Sequence, residues 1–211
     1  MTDSGHVGEA APVARPGKRE RLVAAGRELV HRRGVARTTL ADIAQAADVP
    51  VGNVYYYFKT KGDIIGAVVQ SRVDQIQSAL TALERQHRSP KARLKALVRL
   101  LAEQANTIAQ SGCPHGTLCS ELAKQAEESD PLAAPLMQIP LDWAEQQFRT
   151  MGRRDAHDLA VELLVSYQGS AVLTNALGQP ELMGRQARRV EKWIDSLQAS
   201  KSRDCNAIGL A

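Results

Sequence analysis

Residues 38–61 read TTLADIAQAADVPVGNVYYYFKTK, and this stretch decides the fold. Its first half repeats apolar residues at helical spacing, which predicts a short helix over 38–47 with one buried face. Thr39 and Asp42 form a variant of the capping box, in which the hydroxyl accepts from an orphan amide and the carboxylate favours the helix start. The apolar face consists of Leu40, Ile43, Ala44 and Ala47. The stretch therefore opens with a capped, amphipathic helix.

A tight turn and a second short helix follow. Asp48 and Val49 break the apolar pattern, and Asp tolerates the left-handed backbone that such a turn often needs. Pro50 suits the first residue of a new helix, where its missing N–H costs nothing. In that helix Val54 and Phe58 are four positions apart and face inward together. Two helices joined in this way predict a helix-turn-helix whose second helix can enter the major groove of DNA.

The outward side of the second helix carries phenols, an amide and a cation. Such groups contact phosphates, sugars and base edges, while the two threonines at the start of the first helix can hold a phosphate. For Tyr57 the alternative is packing against the core, because it lies three positions from Val54. The candidate DNA-binding residues are Thr38, Thr39, Val51, Gly52, Asn53, Tyr55, Tyr56, Tyr57, Lys59 and Lys61.

The positive charge of the chain is concentrated around this motif. The 211 residues carry a formal net charge of +4. Between Arg15 and Lys61 there are ten Lys and Arg residues against four acids, whereas residues 62–211 carry 17 of each sign. A basic region that coincides with a helix-turn-helix is typical of a phosphate-binding module, and the alternative is a merely solvated basic face.

The segment from about Arg21 to Ile65 resembles the DNA-binding domain of TetR-type bacterial transcriptional regulators. The matching pieces are Thr38-Thr39, Asp42-Ile43-Ala44, Ala47, Val49, Gly52 to Phe58, and Lys59-x-Lys61. The chain departs from the family pattern at Asp48, where Gly is common, and at Val51, where a polar or basic residue is frequent. An apolar contact at Val51, for example with a thymine methyl, would replace a polar one. The resemblance implies a regulator, usually a repressor, that binds a palindromic operator on double-stranded DNA as a homodimer and responds to a small-molecule effector.

The composition favours an all-α fold, because aromatic residues make up only 4% of the chain and residues with strong helix propensity abound. We predict an N-terminal three-helix helix-turn-helix DNA-binding domain over 17–62 and a C-terminal helical ligand-binding and dimerisation domain over 63–198. Residues 1–16 and 199–211 lack apolar periodicity and are predicted to be a disordered arm and tail, with Cys205 exposed in the tail.

Apolar periodicity, proline and glycine divide the chain into helices. An apolar stripe from Leu22 to Val30 predicts a helix that ends at Gly34. Pro135 and Pro140 are expected to bend the helix in which they lie. The later helices are predicted from Lys61 to about His87, from Pro90 to the interruption at Gly112, from about His115 to Glu127, from Pro131 to Met151, from about Ala156 to Leu177, and from Pro180 to Leu197.

The last two predicted helices are the candidate dimer interface. Their apolar and small residues are Leu164, Tyr167, Gln168, Ala171 and Asn175, followed by Leu182, Val190, Trp193, Ile194 and Leu197. The resemblance implies a four-helix bundle between two copies, and a two-fold dimer would place two recognition helices one helical turn apart on DNA. The alternative is that these faces close the core of a single chain.

Two mechanisms could switch the affinity for DNA. In the first, the commoner device of the family, a small apolar or aromatic molecule enters a cavity lined by Cys113, Trp143, Phe148 and Tyr167. In the second, Cys113 acts as a redox or electrophile sensor, because a helix start and the nearby His115 can activate a thiol. Against this, Cys113 and Cys119 can equally be small buried hydrophobes.

Other functions have less support in the sequence. A thiol enzyme built on Cys113 and His115 lacks a third orienting group, so no catalytic residue is assigned. A sequence-nonspecific structural DNA binder stays open. The five histidines show no paired ligand spacing, so we expect no metal and no cofactor. No apolar run approaches a membrane span, and an odd count of three cysteines without an export signal predicts a cytoplasmic protein.

Overall fold

The computed structural model describes residues 16–125 and 132–197, which form ten α-helices and no strand. This confirms the predicted all-α fold. Residues 1–15 of the predicted arm, the tail over 199–211 and Cys205 lie outside the described residues. The helices are α1 (Lys18–Arg33), α2 (Leu40–Ala46), α3 (Val51–Tyr57), α4 (Lys61–Gln86), α5 (Pro90–Ala102), α6 (Ala105–Ser111), α7 (Gly116–Gln125), α8 (Pro135–Thr150), α9 (Ala156–Leu177) and α10 (Glu181–Ser196).

Helices α1, α2 and α3 pack together against the beginning of α4 and form the head of the molecule. Gly26 allows α1 to approach closely, because a Cβ atom there would meet Val68 of α4 at 3.1 Å and Ile43 of α2 at 3.5 Å. Leu22 and Val54 are fully buried in the same cluster. The head is therefore one small core closed by three short helices and the start of a long one.

Helix α4 connects the head to the body. Thr60 caps it, accepting from the Asp63 N–H at 3.1 Å, while the Asp63 carboxylate accepts from the Thr60 N–H at 2.9 Å. Buried residues recur along it from Ile64 to Leu83, so the same apolar stripe serves the head first and then the body. The predicted helix from Lys61 to about His87 is confirmed within one residue.

The body contains two further apolar clusters. One surrounds Phe148, whose ring meets that of Trp193 edge to face at a centroid distance of 5.9 Å. The other contains Ile108 and Met183. The single helix predicted from Pro90 to Gly112 is interrupted at Glu103 and Gln104, because α5 packs in the first of these clusters and α6 redirects Ile108 into the second.

The prolines of α8 have different positions from those expected. Pro135 begins the helix, where a missing N–H is harmless, and so does not bend it. Pro140 lies inside α8 and removes one helical hydrogen bond. Within the described ranges, no helix is long and apolar enough to cross a membrane.

Candidate nucleic-acid interface and ligand cavity

The turn between α2 and α3 depends on one left-handed residue and one arginine. Asp48 has φ of 52°, as the sequence predicted for this turn. Arg21 of α1 donates from Nη1 to the carbonyls of Ala47 and Asp48 at 2.9 and 3.1 Å. The same Nη1 lies 3.5 Å from the Asp48 carboxylate. Arg21 therefore fixes the angle at which α3 leaves the head.

Helix α3 presents an aromatic outer face. Val54 and Phe58 are buried, whereas Tyr55 and Tyr56 are 51% and 78% exposed. Tyr57 is half-buried against the core and meets the ring of Tyr56 edge to face at 4.9 Å. Val51 and Gly52 are exposed as well, and Asn53 is half-buried. Pro50 caps this helix rather than opening it, which moves the predicted start by one residue.

Two lysines continue this face beyond α3. Lys59 is exposed and donates from Nζ to the carbonyl of Tyr55 at 2.7 Å, so its ammonium lies over the end of α3. Lys61 donates from Nζ to the carbonyl of Ala36 at 3.3 Å, which brings it beside the loop that precedes α2. The structure thus joins the end of α3 and the start of α2 into one surface.

The two threonines at the start of α2 differ. Thr38 is fully buried, and its hydroxyl donates to the carbonyl of Gly34 at 2.8 Å. It therefore cannot offer that hydroxyl to a phosphate, contrary to the expectation. Thr39 is exposed but donates to the Asp42 carboxylate at 2.6 Å. The hydroxyl and the backbone N–H of Thr39 both donate to the Asp42 carboxylate. These two hydrogen bonds, and Arg33 more weakly, lower the pKa of Asp42 and keep it ionised.

Two arginines also belong to the surface, although the sequence did not single them out. Arg37 is exposed beside Thr39, and Arg19 lies with its guanidinium 5.4 Å from the ring centroid of Phe58. The only sequence signal for either was the excess of basic residues around the motif. We name the four cations Arg19, Arg37, Lys59 and Lys61 the basic rim.

A cavity of about 300 Å³ lies in the body between α4, α5, α8, α9 and α10. Tyr167 lines it, while Cys113 lies behind that residue with Sγ 3.6 Å from the phenol oxygen. Phe148 is buried in the core instead, and Trp143 donates from Nε1 to the Glu84 carboxylate at 2.8 Å. Of the four predicted pocket residues, the structure brings only Tyr167 to the cavity wall. Helical periodicity identifies which residues face inward, but it does not show where the packed side chains leave a cavity.

Two thiols lie near the cavity, one buried and one half-buried. Cys113 is buried, and its Sγ accepts from the N–H of Gly116 at 3.4 Å. Burial, and then the proximity of Cys113, raise the pKa of Cys119, whose Sγ donates to the carbonyl of Ala133 at 3.3 Å. In the described part of the chain, no three His, Cys, Asp or Glu side chains are grouped to hold a metal ion.

The outer surface of α9 carries a row of exposed apolar side chains at helical spacing. This α9 apolar row comprises Val161, Val165, Val172, Leu173 and Leu177. Several residues predicted to form the dimer interface, including Ala171 and Ile194, are instead buried within the single chain. The predicted interface residues on α9 thus include its inner face, whereas the α9 apolar row lies on its outer face, since both faces of α9 are apolar.

The fold and this surface define a class of protein, the helix-turn-helix regulators with an N-terminal DNA-binding head and a helical body. Residues 22–68 match the model for bacterial regulatory proteins of the tetR family. Over residues 22–68 the chain is therefore similar to the tetR family of bacterial regulatory proteins, and its described residues share the fold of TetR-type structures.

Individual relatives agree with this assignment. The HTH-type transcriptional repressor DhaR of Mycobacterium sp. (strain GP1) is 28% identical over 169 residues, covering 75% of this chain and 82% of that protein. The HTH-type transcriptional regulator TtgR of Pseudomonas putida is 42% identical over 53 residues, or 25% of each chain. A TetR transcriptional regulator from Legionella pneumophila has the same fold, with a TM-score of 0.77 at 17% identity, over 86% of this chain and 99% of that one.

These relatives are named as transcriptional regulators, which supports a DNA-binding regulator and gives no support to the thiol-enzyme alternative.

Proposed function

We propose that this chain is a sequence-specific repressor that binds a palindromic operator through α3 and releases it when a small apolar or aromatic effector occupies the cavity. The observation that carries the proposal is the outer face of α3, where two exposed tyrosines lie beside the basic rim. Phenols next to cations suit contacts with phosphates and sugars. The proposed contacts are Thr39, Val51, Gly52, Asn53, Tyr55, Tyr56, Tyr57, Lys59 and Lys61, together with Arg37.

The repressor acts as a homodimer in this proposal. Five exposed apolar side chains on one face of α9 are an unusual surface for a helix in water, and a second copy would cover them. A two-fold dimer presents α3 twice, which matches the symmetry of a palindrome and explains why the operator needs two half-sites.

Contacts between the head and the cavity wall support control by an effector. His31 of α1 donates from Nε2 to the carbonyl of Gly112 at 2.9 Å, three residues before His115 of the cavity wall. Arg72 of the wall donates to the carbonyl of Arg27 in α1. A ligand that displaces these residues would therefore act directly on α1 and, through it, on the spacing of the two α3 helices.

Selection of bound duplexes from a random double-stranded DNA pool tests the proposal. At one fixed salt concentration, the selected palindrome should bind at least about 10³-fold tighter than a scrambled duplex of equal length. Equal affinity for both duplexes would establish the nonspecific structural DNA binder instead. A repressor of this kind works in the cytoplasm, where bacterial DNA is found.

The thiol sensor remains the rival switch, although burial of Cys113 and the raised pKa of Cys119 do not favour it. Release of the operator by a small apolar ligand should survive Cys113→Ser, because such binding needs no thiol chemistry. Release by peroxide that is reversed by a reductant and lost in Cys113→Ser would establish the sensor.

A further inference from the structure

One part of the cavity wall carries a half-buried guanidinium. Arg72 of α4 makes one long hydrogen bond, from Nη2 to the carbonyl of Arg27 at 3.4 Å. Its Nε is buried and has no hydrogen-bond partner among the described residues. Burial, and then the charge of Arg27, lower the pKa of Arg72 to about 10, so the group is still cationic at neutral pH. Arg72 thus has donor capacity left over beside the cavity.

The positive charge of Arg72 is not balanced within the wall. Among the described residues that line the cavity there is no Asp or Glu, and Arg72 is the only permanently charged side chain. His115 lies in the same wall, and its pKa is lowered to about 4 by burial first and then by the charges of Arg72 and His31. Outside the wall, Glu28 of α1 partly offsets this charge. Because the wall itself offers no acidic group to the half-buried guanidinium, an anionic guest would stabilise it.

The remainder of the wall is mostly apolar. Ile76 and Leu80 of α4, Leu97 and Leu101 of α5, and Leu163 of α9 contribute aliphatic surface. The other polar side chains of the wall carry no permanent charge, and some are already paired, as in the hydrogen bond of 2.7 Å from Gln186 Nε2 to Ser166 Oγ. The cavity therefore combines a large apolar surface with a single charged group, which suits a ligand that has an apolar body and one acidic group.

We propose that the cavity takes an amphipathic organic acid, whose carboxylate pairs with the guanidinium of Arg72 and whose apolar body lies against the aliphatic residues of α4, α5 and α9. A guanidinium and a carboxylate can form two parallel hydrogen bonds, a geometry that a neutral amide cannot reproduce. This inference rests on the proposed function, since it names the chemical class of the effector for the same cavity.

Arg72 also connects the cavity to the head of the molecule. Arg72 and Arg27 join α4 to α1, and Arg27 also donates from Nη1 to Ser71 Oγ at 3.2 Å. A carboxylate that draws Arg72 toward the cavity would break its long bond to the Arg27 carbonyl. The acid would then favour the conformation in which α1 is released from α4, whereas a neutral guest would leave the bond intact.

Calorimetric titration of the full chain with three acids and their primary amides tests the inference. The acids are benzoic, 2-naphthoic and anthracene-2-carboxylic acid, and the proteins are wild type, Arg72→Gln, Arg72→Lys and Arg85→Gln. Arg85 is the matched control, because it is an exposed cation on the same helix. At least one acid should bind wild type and Arg85→Gln about tenfold or more tighter than its amide. That ratio should fall to about one in Arg72→Gln and recover in part in Arg72→Lys.

Each other outcome overturns a stated part of the argument. Three outcomes would each refute the proposal that the cavity takes an organic acid. They are equal binding of acid and amide to wild type, no binding of any acid, and an acid preference that survives Arg72→Gln. The wild-type comparison decides even if Arg72→Gln does not fold. If the amides bind and cause the protein to release a bound operator, the proposal of an acidic effector is refuted, but the cavity is still the effector site. If an acid binds through Arg72 without changing the affinity for the operator, the cavity does take an organic acid, but the proposed switching function is refuted.

Discussion

At the scale of single residues, Asp48 carries the sharpest backbone constraint in the head. Its φ of 52° is uncommon for a residue with a Cβ atom, and its own side chain is largely exposed. The backbone of this turn also receives two hydrogen bonds from Arg21. These hydrogen bonds to the backbone of the turn help to hold the left-handed conformation.

Comparison of Asp48→Gly with Asp48→Ala measures this constraint directly. Both variants lose the carboxylate, but only glycine adopts positive φ without a steric penalty. Asp48→Ala should unfold with a free energy about 1 kcal/mol lower than that of Asp48→Gly in urea denaturation. Equal stability of the two variants would contradict a left-handed backbone at this position.

His115 makes stability depend on pH, because the folded protein holds it neutral. Its pKa is lowered to about 4 by burial, Arg72 and His31, compared with 6.5 in an unfolded chain. Between these two values the unfolded state binds more protons, so stability falls as the pH is lowered from about 6.5 to 4. The contribution of His115 to the free energy of unfolding is fully present above about pH 6.5 and is of the order of 1–3 kcal/mol.

His115→Gln should remove this pH dependence. Urea denaturation of wild type and variant at several pH values from 7 to 4 would measure the difference in unfolding free energy. His157 has the opposite effect on the pH dependence of stability, since its pairing with Glu145 raises its pKa. The comparison cancels this effect because both proteins contain His157. An unchanged pH profile in His115→Gln would show that His115 titrates normally in the folded chain.

At the scale of elements, helix boundaries followed local chemistry wherever that chemistry was strong. Prolines, glycines and capping residues predicted the limits of α4 and α9 within one residue. Local patterns did not reveal that Thr38 turns its hydroxyl back to Gly34, nor that the chain breaks at Glu103 and Gln104. Both features depend on which distant cluster each segment packs against, and periodicity does not record that.

The outer face of α3 is the element whose contacts with DNA can be separated most cleanly. Tyr55 and Lys59 are exposed, so Tyr55→Ala and Lys59→Ala should weaken operator binding without changing helix content or the melting temperature. If Lys59 contacts a phosphate, its loss should reduce the slope of log K against log salt by about one unit. Binding is measured by fluorescence anisotropy at four salt concentrations.

Lys124→Ala is the control for this element, because Lys124 is an equally exposed cation on α7, in the body. It should change neither the affinity nor the salt slope. Wild-type affinity in both Tyr55→Ala and Lys59→Ala would refute the orientation assigned to α3, since both side chains are exposed on the surface that it presents.

At the scale of the whole molecule, the cavity and the α9 apolar row show what the sequence could and could not predict. The family resemblance predicted a helical body with a cavity. It did not predict where the cavity lies, because Trp143 and Phe148 fill space that periodicity alone left open. The apolar row was missed for a related reason, since α9 has apolar residues on its buried face as well.

The α9 apolar row supplies the last prediction. Val165→Asp combined with Val172→Asp should give a monomer, because two carboxylates would be buried without partners in the dimer interface. Both positions are 65% exposed in the single chain, so the fold should be unaffected. Gln77→Asp, at an exposed position on α4, is the control and should stay dimeric. The monomer should bind a palindromic operator at least about 10²-fold more weakly, since the second half-site no longer binds intramolecularly. Sedimentation equilibrium and operator titration measure the two effects, and a wild-type protein that is monomeric at micromolar concentration, both free and on DNA, would contradict the dimer.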